Sequence, residues 1–284
     1  MKRIEKSEKM KNQPIGMIDS GVGGLTVLRE ALRQFPNESF YYVADTAHCP
    51  YGSKPPVAIK NYVWQMVQFL LTQNIKMLVL ACNTASAIFL DELQAALDIP
   101  VIGVIQSGSR QATQVTHSGS IGVIATQATV NNGAYQREIH KLKSTTHVYE
   151  LACPTFVELV ESQVYREPRA HYEVDRALAP LKAKAIDTLI LGCTHYPLLR
   201  PQIEQTMGSS VQIVDAGVES VRAIRLELER LQLTAETTSR KLRFYTTDAN
   251  EGFAEIGKRW LNQSHLPVEV IEKSKLEAFT WKKR

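Results

Sequence analysis

Two segments of the sequence share one pattern, an apolar run that stops at a cysteine and continues into small polar residues. They are residues 78–84 (LVLACNT) and residues 189–195 (LILGCTH). A buried β-strand that ends in a polar loop has this pattern. Ligands of open α/β sheets bind at the carboxyl ends of the strands, so Cys82 and Cys193 stand where a ligand site is expected.

The distance along the chain between the two cysteines recurs in other strand-like runs. Cys82 and Cys193 are 111 positions apart, and so are the runs that begin at Val101 and Gln212. Three pairs of runs follow one another in the same order: residues 16–20 and 122–126, 78–82 and 189–193, 101–105 and 212–216. We interpret them as two similar α/β halves, each of which delivers one cysteine to a shared cleft. Chance recurrence of apolar runs in a parallel-sheet protein is the alternative.

Strand-like and helix-like segments alternate along the chain, which predicts mainly parallel sheets joined by crossover helices. Strands are expected near residues 15–19, 39–44, 77–82, 100–105, 120–125, 147–151, 187–192 and 211–215. Helices are expected over residues 25–34, 57–73, 85–96, 218–231 and 252–261. A chain of 284 residues, 44% of them hydrophobic, is long enough for about two domains.

We therefore expect an α/β fold of two similar domains, with the active site in the cleft between them. The expected divisions are an N-terminal tail over residues 1–13, a first domain over residues 14–107 plus 218–284, and a second domain over residues 108–217. The tail is expected to be flexible because it is rich in lysine and poor in apolar residues.

Charge and hydropathy argue against several classes of partner. The formal net charge is only +4, and basic and aromatic residues do not alternate as they do on nucleic-acid-binding surfaces. No segment has the roughly 18 to 20 consecutive apolar residues that a membrane span needs, and the start of the chain lacks the apolar core of a signal peptide. We expect no nucleic acid, no membrane association and a cytoplasmic location.

The four cysteines, Cys49, Cys82, Cys153 and Cys193, form no CxxC pair and are too few for a disulfide framework in a chain of this length. Free thiols are therefore expected. Cys193 with His195 makes at most half of a zinc ligand set, so no metal is expected.

Two loops after predicted strands suit an anionic ligand. In residues 19–25 (DSGVGGL) the glycines allow a tight turn and bring N–H groups and a helix N-terminus close to an anion. The loop lacks the spacing of dinucleotide and P-loop motifs, and Asp19 has a capping role as its alternative. In residues 44–54 (ADTAHCPYGSK) the Pro-Tyr-Gly turn is expected to present an exposed phenol and backbone donors, or to be only a turn. Two such loops beside two thiols favour a small carboxylate ligand.

Four blocks between about Ile15 and Leu261 resemble the cofactor-independent glutamate racemases, in that family's order. The blocks are residues 19–24 (DSGVGG), 44–47 (ADTA) with 50–52 (PYG), 81–86 (ACNTAS) and 192–199 (GCTHYPLL). The resemblance implies two α/β domains with the site between them. It also implies an isomerase that interconverts L- and D-glutamate without a cofactor and supplies D-glutamate for peptidoglycan, hence for cell-wall biogenesis and cell shape.

The chemistry explains the need for two thiols. Racemisation removes the α-proton from one face of an amino acid and returns a proton to the other face, so a base and an acid must face each other across Cα. A thiol with an ordinary pKa of about 8.5 becomes a thiolate near a helix N-terminus or a cation. By the resemblance, Cys82 takes the proton from D-glutamate and Cys193 takes it from L-glutamate, and no pyridoxal phosphate is implied.

The resemblance assigns supporting roles as well. Asp19 is expected to orient the Cys82 side, and His195 and Glu161 the Cys193 side, although Glu158 is close to Glu161 and either could be a solvated helix residue. The residues that match substrate-binding positions are Asp19, Ser20, Tyr51, Gly52, Asn83, Thr84, Thr194 and His195. The resemblance also allows a homodimer and regulation by a cell-wall precursor.

The sequence departs from the family pattern at a few positions. His48 and Cys49 stand where an arginine and an apolar residue are common, Ala125 where glycine is frequent, and Gln106 where an acidic residue is frequent. Cys49 and Cys153 are interpreted as bystanders.

Three alternative functions remain open: a racemase of aspartate or another small acidic substrate, a non-catalytic carboxylate-binding protein, and a thiol redox protein, which needs its cysteines within disulfide distance.

Overall fold

The computed structural model describes residues 10–236, 239–249 and 251–280. Within these ranges the strands are β1 Ile15–Asp19, β2 Phe40–Ala44, β3 Met77–Leu80, β4 Val101–Gly103, β5 Ser120–Ala125, β6 His147–Ala152, β7 Thr188–Gly192, β8 Gln212–Asp215, β9 Leu242–Thr246 and β10 Val268–Val270. The helices are α1 Leu25–Gln34, α2 Pro56–Thr72, α3 Asn83–Ala96, α4 Val104–Val115, α5 Gln127–Asn132, α6 Ala134–Leu142, α7 Thr155–Glu161, α8 Pro168–Lys182, α9 Arg200–Met207, α10 Ala216–Arg230, α11 Glu251–Leu261 and α12 Lys273–Glu277.

The strands form two parallel sheets with the same internal order. The first sheet runs β10-β9-β2-β1-β3-β4 and the second runs β6-β5-β7-β8. The order β2-β1-β3-β4 therefore matches β6-β5-β7-β8, and every pairing is parallel. The predicted α/β class with parallel sheets and crossover helices is confirmed. We call the part of the chain around the first sheet the first half and the part around the second sheet the second half.

The central strands are buried on both faces, which explains their continuous apolar sequences. Every residue of β1, β2, β3 and β7 is buried. Helices cover the sheets with apolar stripes; in α1 the buried residues are Leu25, Val27, Leu28 and Ala31. The carboxyl ends of β1, β3, β5 and β7 are thereby fixed by burial, and the loops that follow them are held in place.

The chain passes between the halves through α4 and α10, which pack against each other. Helix α10 begins where Asp215 Oδ1 accepts hydrogen bonds from the N–H groups of Gly217 and Val218, at 2.9 and 3.2 Å. Beyond it, β9 returns to the first sheet and pairs with β2. The domain boundaries proposed near residues 107 and 217 remain a prediction.

Two local features differ from the sequence-based expectation. The strand expected over residues 100–105 ends at Gly103, because Val104 and Ile105 form the first turn of α4, where both side chains are buried. Their β-branched side chains favour a strand locally, and tertiary burial in the helix outweighs that preference. Strand β10 was not expected, since three residues carry almost no periodic signal.

Most of the expected N-terminal tail, residues 1–9, lies outside the described residues. Residues 10–13 contact the first half: the carbonyl of Lys11 accepts a hydrogen bond from the buried Nζ of Lys76. Lys76 Nζ also lies 2.6 Å from the buried carboxylate of Glu38 and donates to the carbonyl of Leu233. Burial lowers the pKa of Lys76, and the pair with Glu38 opposes that shift.

Candidate active site

The two cysteines occupy equivalent places in the two sheets. Cys82 follows β3 by two residues, and Cys193 follows β7 directly. Each of these strands lies between two others, β3 between β1 and β4 and β7 between β5 and β8. Both thiols are nearly buried, with 5% and 7% of their residue surface exposed, and both are unoxidised. Equivalent strands therefore deliver one buried thiol from each half.

Cys82 lies at the N-terminus of α3, immediately before Asn83. Its Sγ is 3.8 Å from Ser20 Oγ. Burial, followed by the charges of Asp19 and Cys193, raises the pKa of Cys82 to about 12, and the hydrogen bonds with Ala85 N–H and Ser20 oppose this shift. In the absence of substrate these surroundings keep Cys82 in its protonated form.

Asp19 ends β1 and is 1% exposed. Its Oδ1 accepts a hydrogen bond from Gly21 N–H at 3.0 Å, so the carboxylate holds the glycine loop that leads into α1. Its Oδ2 accepts a longer hydrogen bond from Thr194 Oγ1 at 3.5 Å. Burial raises the pKa of Asp19, and the charge of His195 opposes the shift. Asp19 thus holds the glycine loop and contacts the block that follows Cys193. The capping alternative is wrong, because α1 has Gly24 as its N-cap residue and no side-chain cap hydrogen bond.

Cys193 begins a chain of polar contacts that leads to a carboxylate. Its Sγ lies 3.7 Å from His195 Nδ1, and His195 Nε2 lies 3.1 Å from Glu161 Oε1. Although burial lowers the pKa of His195, its hydrogen bonds with Cys193 and Glu161 raise that pKa to about 10. Burial raises the pKa of Glu161, but the hydrogen bond and charge of His195 have the larger effect together and bring that pKa below its ordinary value. A protonated imidazole next to a sulfur favours the thiolate.

Of the two candidate carboxylates on α7, Glu161 is the one that contacts His195. It is the last residue of α7 and its side chain is 36% exposed, whereas Glu158 is an exposed residue one turn earlier. The catalytic roles of Glu161 and of the other candidate residues remain predictions.

The glycine loop of the first half packs directly on the segment that follows Cys193. A Cβ atom on Gly23 would overlap Thr194 Oγ1 and the His195 ring, so only glycine fits at this position without a shift. One turn later, Thr26 Oγ1 donates to the Thr194 carbonyl at 3.1 Å. The two halves therefore meet at the reactive end of β7.

The Pro-Tyr-Gly turn differs from the sequence-based expectation in the exposure of its tyrosine. The phenol of Tyr51 is not exposed: the residue is 1% exposed and its Oη donates to Asp45 Oδ2 at 2.5 Å. Asp45 is also buried and requires donors for its oxygens, which explains why the phenol turns inward. The prediction of an exposed phenol is wrong. The next residue, Gly52, is partly exposed, and an added Cβ would lie 2.9 Å from Thr126 Cβ in the second half.

Two candidate substrate-binding residues make contacts between the halves. Asn83 Oδ1 accepts a hydrogen bond from Tyr135 Oη at 2.6 Å. Thr84 Oγ1 lies 2.9 Å from Thr126 Oγ1, and Thr129 adds a third hydroxyl to this cluster. Because Tyr135 occupies the amide oxygen of Asn83, the amide NH₂ is the group left to donate to a ligand. The sequence-based prediction did not include these second-half partners.

Cys49 is a further residue whose position the sequence-based interpretation missed. Its Sγ donates to Glu161 Oε1 at 3.3 Å, so it contacts the chain that begins at Cys193. The sequence signal that could have indicated this contact was the position of Cys49 directly before the Pro-Tyr-Gly turn. Cys153, in contrast, has its Sγ near the Leu151 carbonyl, at 3.9 Å.

A cleft of about 700 Å³ opens beside this group of residues. Both halves contribute to its walls, which include Gly52, Ser53, Thr126, Asn131 and Glu161. Glu161 connects the cleft to Cys193 through His195. A small polar ligand is accommodated by these dimensions.

Two kinds of feature are absent from the described ranges. No helix there is long and apolar enough to cross a bilayer. No group of three or more His, Cys, Asp or Glu side chains there is arranged to hold a metal ion.

Comparison with known proteins gives a consistent result. The family model described as Asp/Glu/Hydantoin racemase matches residues 15–224. A glutamate racemase of Carnobacterium sp. (strain St2) is 50% identical over 265 residues, which are 92% of this chain and 99% of the relative. The resemblance that the sequence motifs indicated is confirmed.

Solved structures agree with the sequence comparison. Glutamate racemase isoform RacE1 from Bacillus anthracis is 41% identical, with a TM-score of 0.90 over 93% of this chain and 98% of that chain. Glutamate racemase from Francisella tularensis, solved in complex with D-glutamate, is 34% identical, with a TM-score of 0.88 over 95% and 100% of the two chains. The Escherichia coli glutamate racemase, solved with L-glutamate and the activator UDP-MurNAc-ala, is 27% identical, with a TM-score of 0.74 over 91% and 97%.

Proposed function

The chain belongs to the Asp/Glu/hydantoin racemase family and is an amino-acid racemase, and we propose that it interconverts L- and D-glutamate with two cysteines and no cofactor. The observation that carries the proposal is that each of two equivalent strands, β3 and β7, is followed by one buried thiol, so that each half supplies one. Glutamate as substrate is supported by the similar glutamate racemases, one of which was solved with D-glutamate.

In the proposed reaction Cys193 and Cys82 act on opposite faces of Cα. The Cys193 thiolate removes the α-proton of L-glutamate, so that an S–H bond forms as the Cα–H bond breaks and the electron pair delocalises into the α-carboxylate. The Cys82 thiol then gives its proton to the opposite face and becomes the thiolate, which yields D-glutamate. The reverse reaction starts from the Cys82 thiolate and uses the same two groups in exchanged roles.

The surroundings of the thiols support these resting roles. The hydrogen bonds of His195 with Cys193 and Glu161 raise the pKa of His195 and favour imidazolium, which places a cation 3.7 Å from the Cys193 sulfur. Burial and the charge of Asp19 keep Cys82 protonated, as an acid must be. Backbone and side-chain donors from the glycine loop, Gly52, Asn83 and Thr194 are proposed to hold the substrate carboxylates.

We further propose that the D-glutamate serves peptidoglycan synthesis in the cytoplasm. Regulation by a cell-wall precursor is supported by the Escherichia coli relative, which was solved with the activator UDP-MurNAc-ala. A homodimer remains a prediction.

The proposal is tested by following racemisation of L- and D-glutamate by circular dichroism, with purified protein and no added cofactor. We expect turnover in both directions and little turnover of aspartate. A clear preference for aspartate would replace the proposed substrate. Glutamate binding without exchange of the α-proton into deuterated water would instead support a non-catalytic binding protein.

A further inference from the structure

Cys49 links the first half to the carboxylate that supports the second-half thiol. It lies in the loop between β2 and α2, and its Sγ donates to Glu161 Oε1 at 3.3 Å. The same oxygen lies 3.1 Å from His195 Nε2. The loop after β2 and helix α7 after β6 have equivalent places in the two sheets, so this hydrogen bond joins corresponding segments of the two halves.

The direction of this hydrogen bond is fixed by protonation. Burial, followed by the charges of Glu161 and Asp19, raises the pKa of Cys49, so the thiol keeps its proton. An ionised carboxylate only accepts hydrogen bonds, and each of its oxygens can accept two. Glu161 Oε1 can therefore serve Cys49 and His195 at the same time.

Cys49 is held where it is by its own loop. Its N–H donates to the Asp45 carbonyl at 3.1 Å. The Asp45 carboxylate in turn accepts from Tyr51 Oη at 2.5 Å and from Thr247 Oγ1 at 2.7 Å. On its other side the sulfur packs on the glycine loop, since a Cβ on Gly21 would lie only 2.8 Å from it. The thiol therefore has little freedom to turn away from Glu161.

We propose that Cys49 is a positioning residue, which holds the Glu161 carboxylate in the orientation that receives the His195 Nε2–H. Because Cys49 belongs to the first half and the chain Cys193–His195–Glu161 to the second, this contact forms only when the halves are together. This inference rests on the racemisation proposed above. The alternative is that Cys49 only fills space beside Gly21.

A double-mutant cycle separates these interpretations. The variants are Cys49→Ala, Cys49→Ser, Glu161→Ala and the double variant Cys49→Ala with Glu161→Ala, with kcat/KM for L-glutamate as the measured quantity. We expect Cys49→Ala to lower kcat/KM about fivefold, the effect of one lost hydrogen bond, and Cys49→Ser to stay within about twofold of the wild type. On the Glu161→Ala background, Cys49→Ala should have no further effect.

Several outcomes of the cycle would overturn the proposal. Wild-type activity in Cys49→Ala would do so, as would an equal loss in the serine and alanine variants, which indicates packing. An undiminished effect of Cys49→Ala on the Glu161→Ala background would show that Cys49 does not act through Glu161.

The pH profile supplies a readout that a packing role would not change. The Cys49 donor helps to lower the pKa of Glu161, so Cys49→Ala should move the acid limb of kcat/KM to higher pH, and Cys49→Ser should leave it in place. The matched control is Thr46→Ala, which removes a hydrogen bond between the same loop and the Asp248 carbonyl. Loosening the loop in this way should lower activity equally at every pH, if at all. An identical acid limb in Cys49→Ala and the wild type contradicts the proposal.

Titration of the His195 ring by NMR tests the inference independently of activity. In the full-length protein, Cys49→Ala should lower the pKa of His195 relative to the wild type and Cys49→Ser, because Glu161 is then free to turn away. An unchanged His195 titration in Cys49→Ala overturns the positioning role. If the wild type does not racemise glutamate, the proposed function fails, and this titration still decides whether Cys49 controls the contact between Glu161 and His195.

Discussion

The two halves deliver their cysteines in the same way and surround them differently. Strand β1 ends at Asp19, beside Cys82, whereas the equivalent strand β5 ends at Ala125. The second half has no carboxylate at that strand end. Its carboxylate comes from α7, where Glu161 contacts His195 and His195 contacts Cys193. The same sheet order thus supports two different protonation environments. The shared sheet order fixes where the thiols lie, and the neighbouring side chains give each thiol different partners.

This difference cannot appear in every kinetic constant. The enantiomers of glutamate have equal free energies, so any substitution must change kcat/KM equally in the two directions. The asymmetry of the halves has to be measured in proton exchange, in pH dependence, or in the separate values of kcat and KM.

The largest expected effect comes from removing either thiol. Cys82→Ala and Cys193→Ala should each lower racemisation by roughly 10³-fold or more, because each removes an acid or base that the other half cannot replace. Polarimetry or circular dichroism measures the loss, and Cys153→Ala serves as the control for removal of a buried thiol. Substantial turnover by either catalytic variant would mean that the halves do not share the reaction as proposed.

Replacement of His195 tests the second half alone. His195→Asn should lower kcat by roughly 10²-fold, since the variant loses the cation that favours the Cys193 thiolate. The measurement is steady-state kinetics over a range of pH, where the variant should recover part of its activity at high pH as the thiol ionises unaided. A pH profile parallel to that of the wild type would contradict the proposal that His195 favours the thiolate form of Cys193.

A smaller loss of activity is expected from replacing Glu161, the last residue in the chain of contacts that begins at Cys193. Glu161→Gln should lower kcat/KM about tenfold, the effect of exchanging a charged hydrogen-bond acceptor for a neutral one. Glu158→Gln is the matched control one turn earlier on α7 and should retain wild-type kinetics. Equal losses in both variants would show that the effect arises from helix α7 and not from the contact with His195.

The last expected effect is on stability and not on activity. The pKa of His195 is about 10 in the folded protein, above its ordinary value of 6.5. Its contribution to the free energy of unfolding is therefore complete below about pH 6.5 and is lost as the pH rises through about 10. Urea unfolding of the wild type and His195→Asn across this range should show a difference in stability that shrinks with rising pH. A difference that grows with pH would have the wrong sign for an imidazolium.

The fold was predictable because its central strands are buried on both faces and their sequences are therefore continuous apolar runs. The prediction was wrong where local preference and burial disagree, as at Val104, a β-branched residue that begins helix α4. In the site, the motifs indicated Cys82, Cys193 and His195. The contacts of Cys49 with Glu161 and of Tyr135 with Asn83 join positions that are 112 and 52 residues apart, and a single sequence carries no signal for such pairs.

The most direct test of the account is α-proton exchange by the two single-cysteine variants in deuterated water, followed by NMR with each enantiomer of glutamate. We predict that Cys82→Ala, which keeps the Cys193 side, exchanges only the α-proton of L-glutamate, and that Cys193→Ala exchanges only that of D-glutamate. Exchange of the same enantiomer by both variants would contradict the assignment of one face of the substrate to each half.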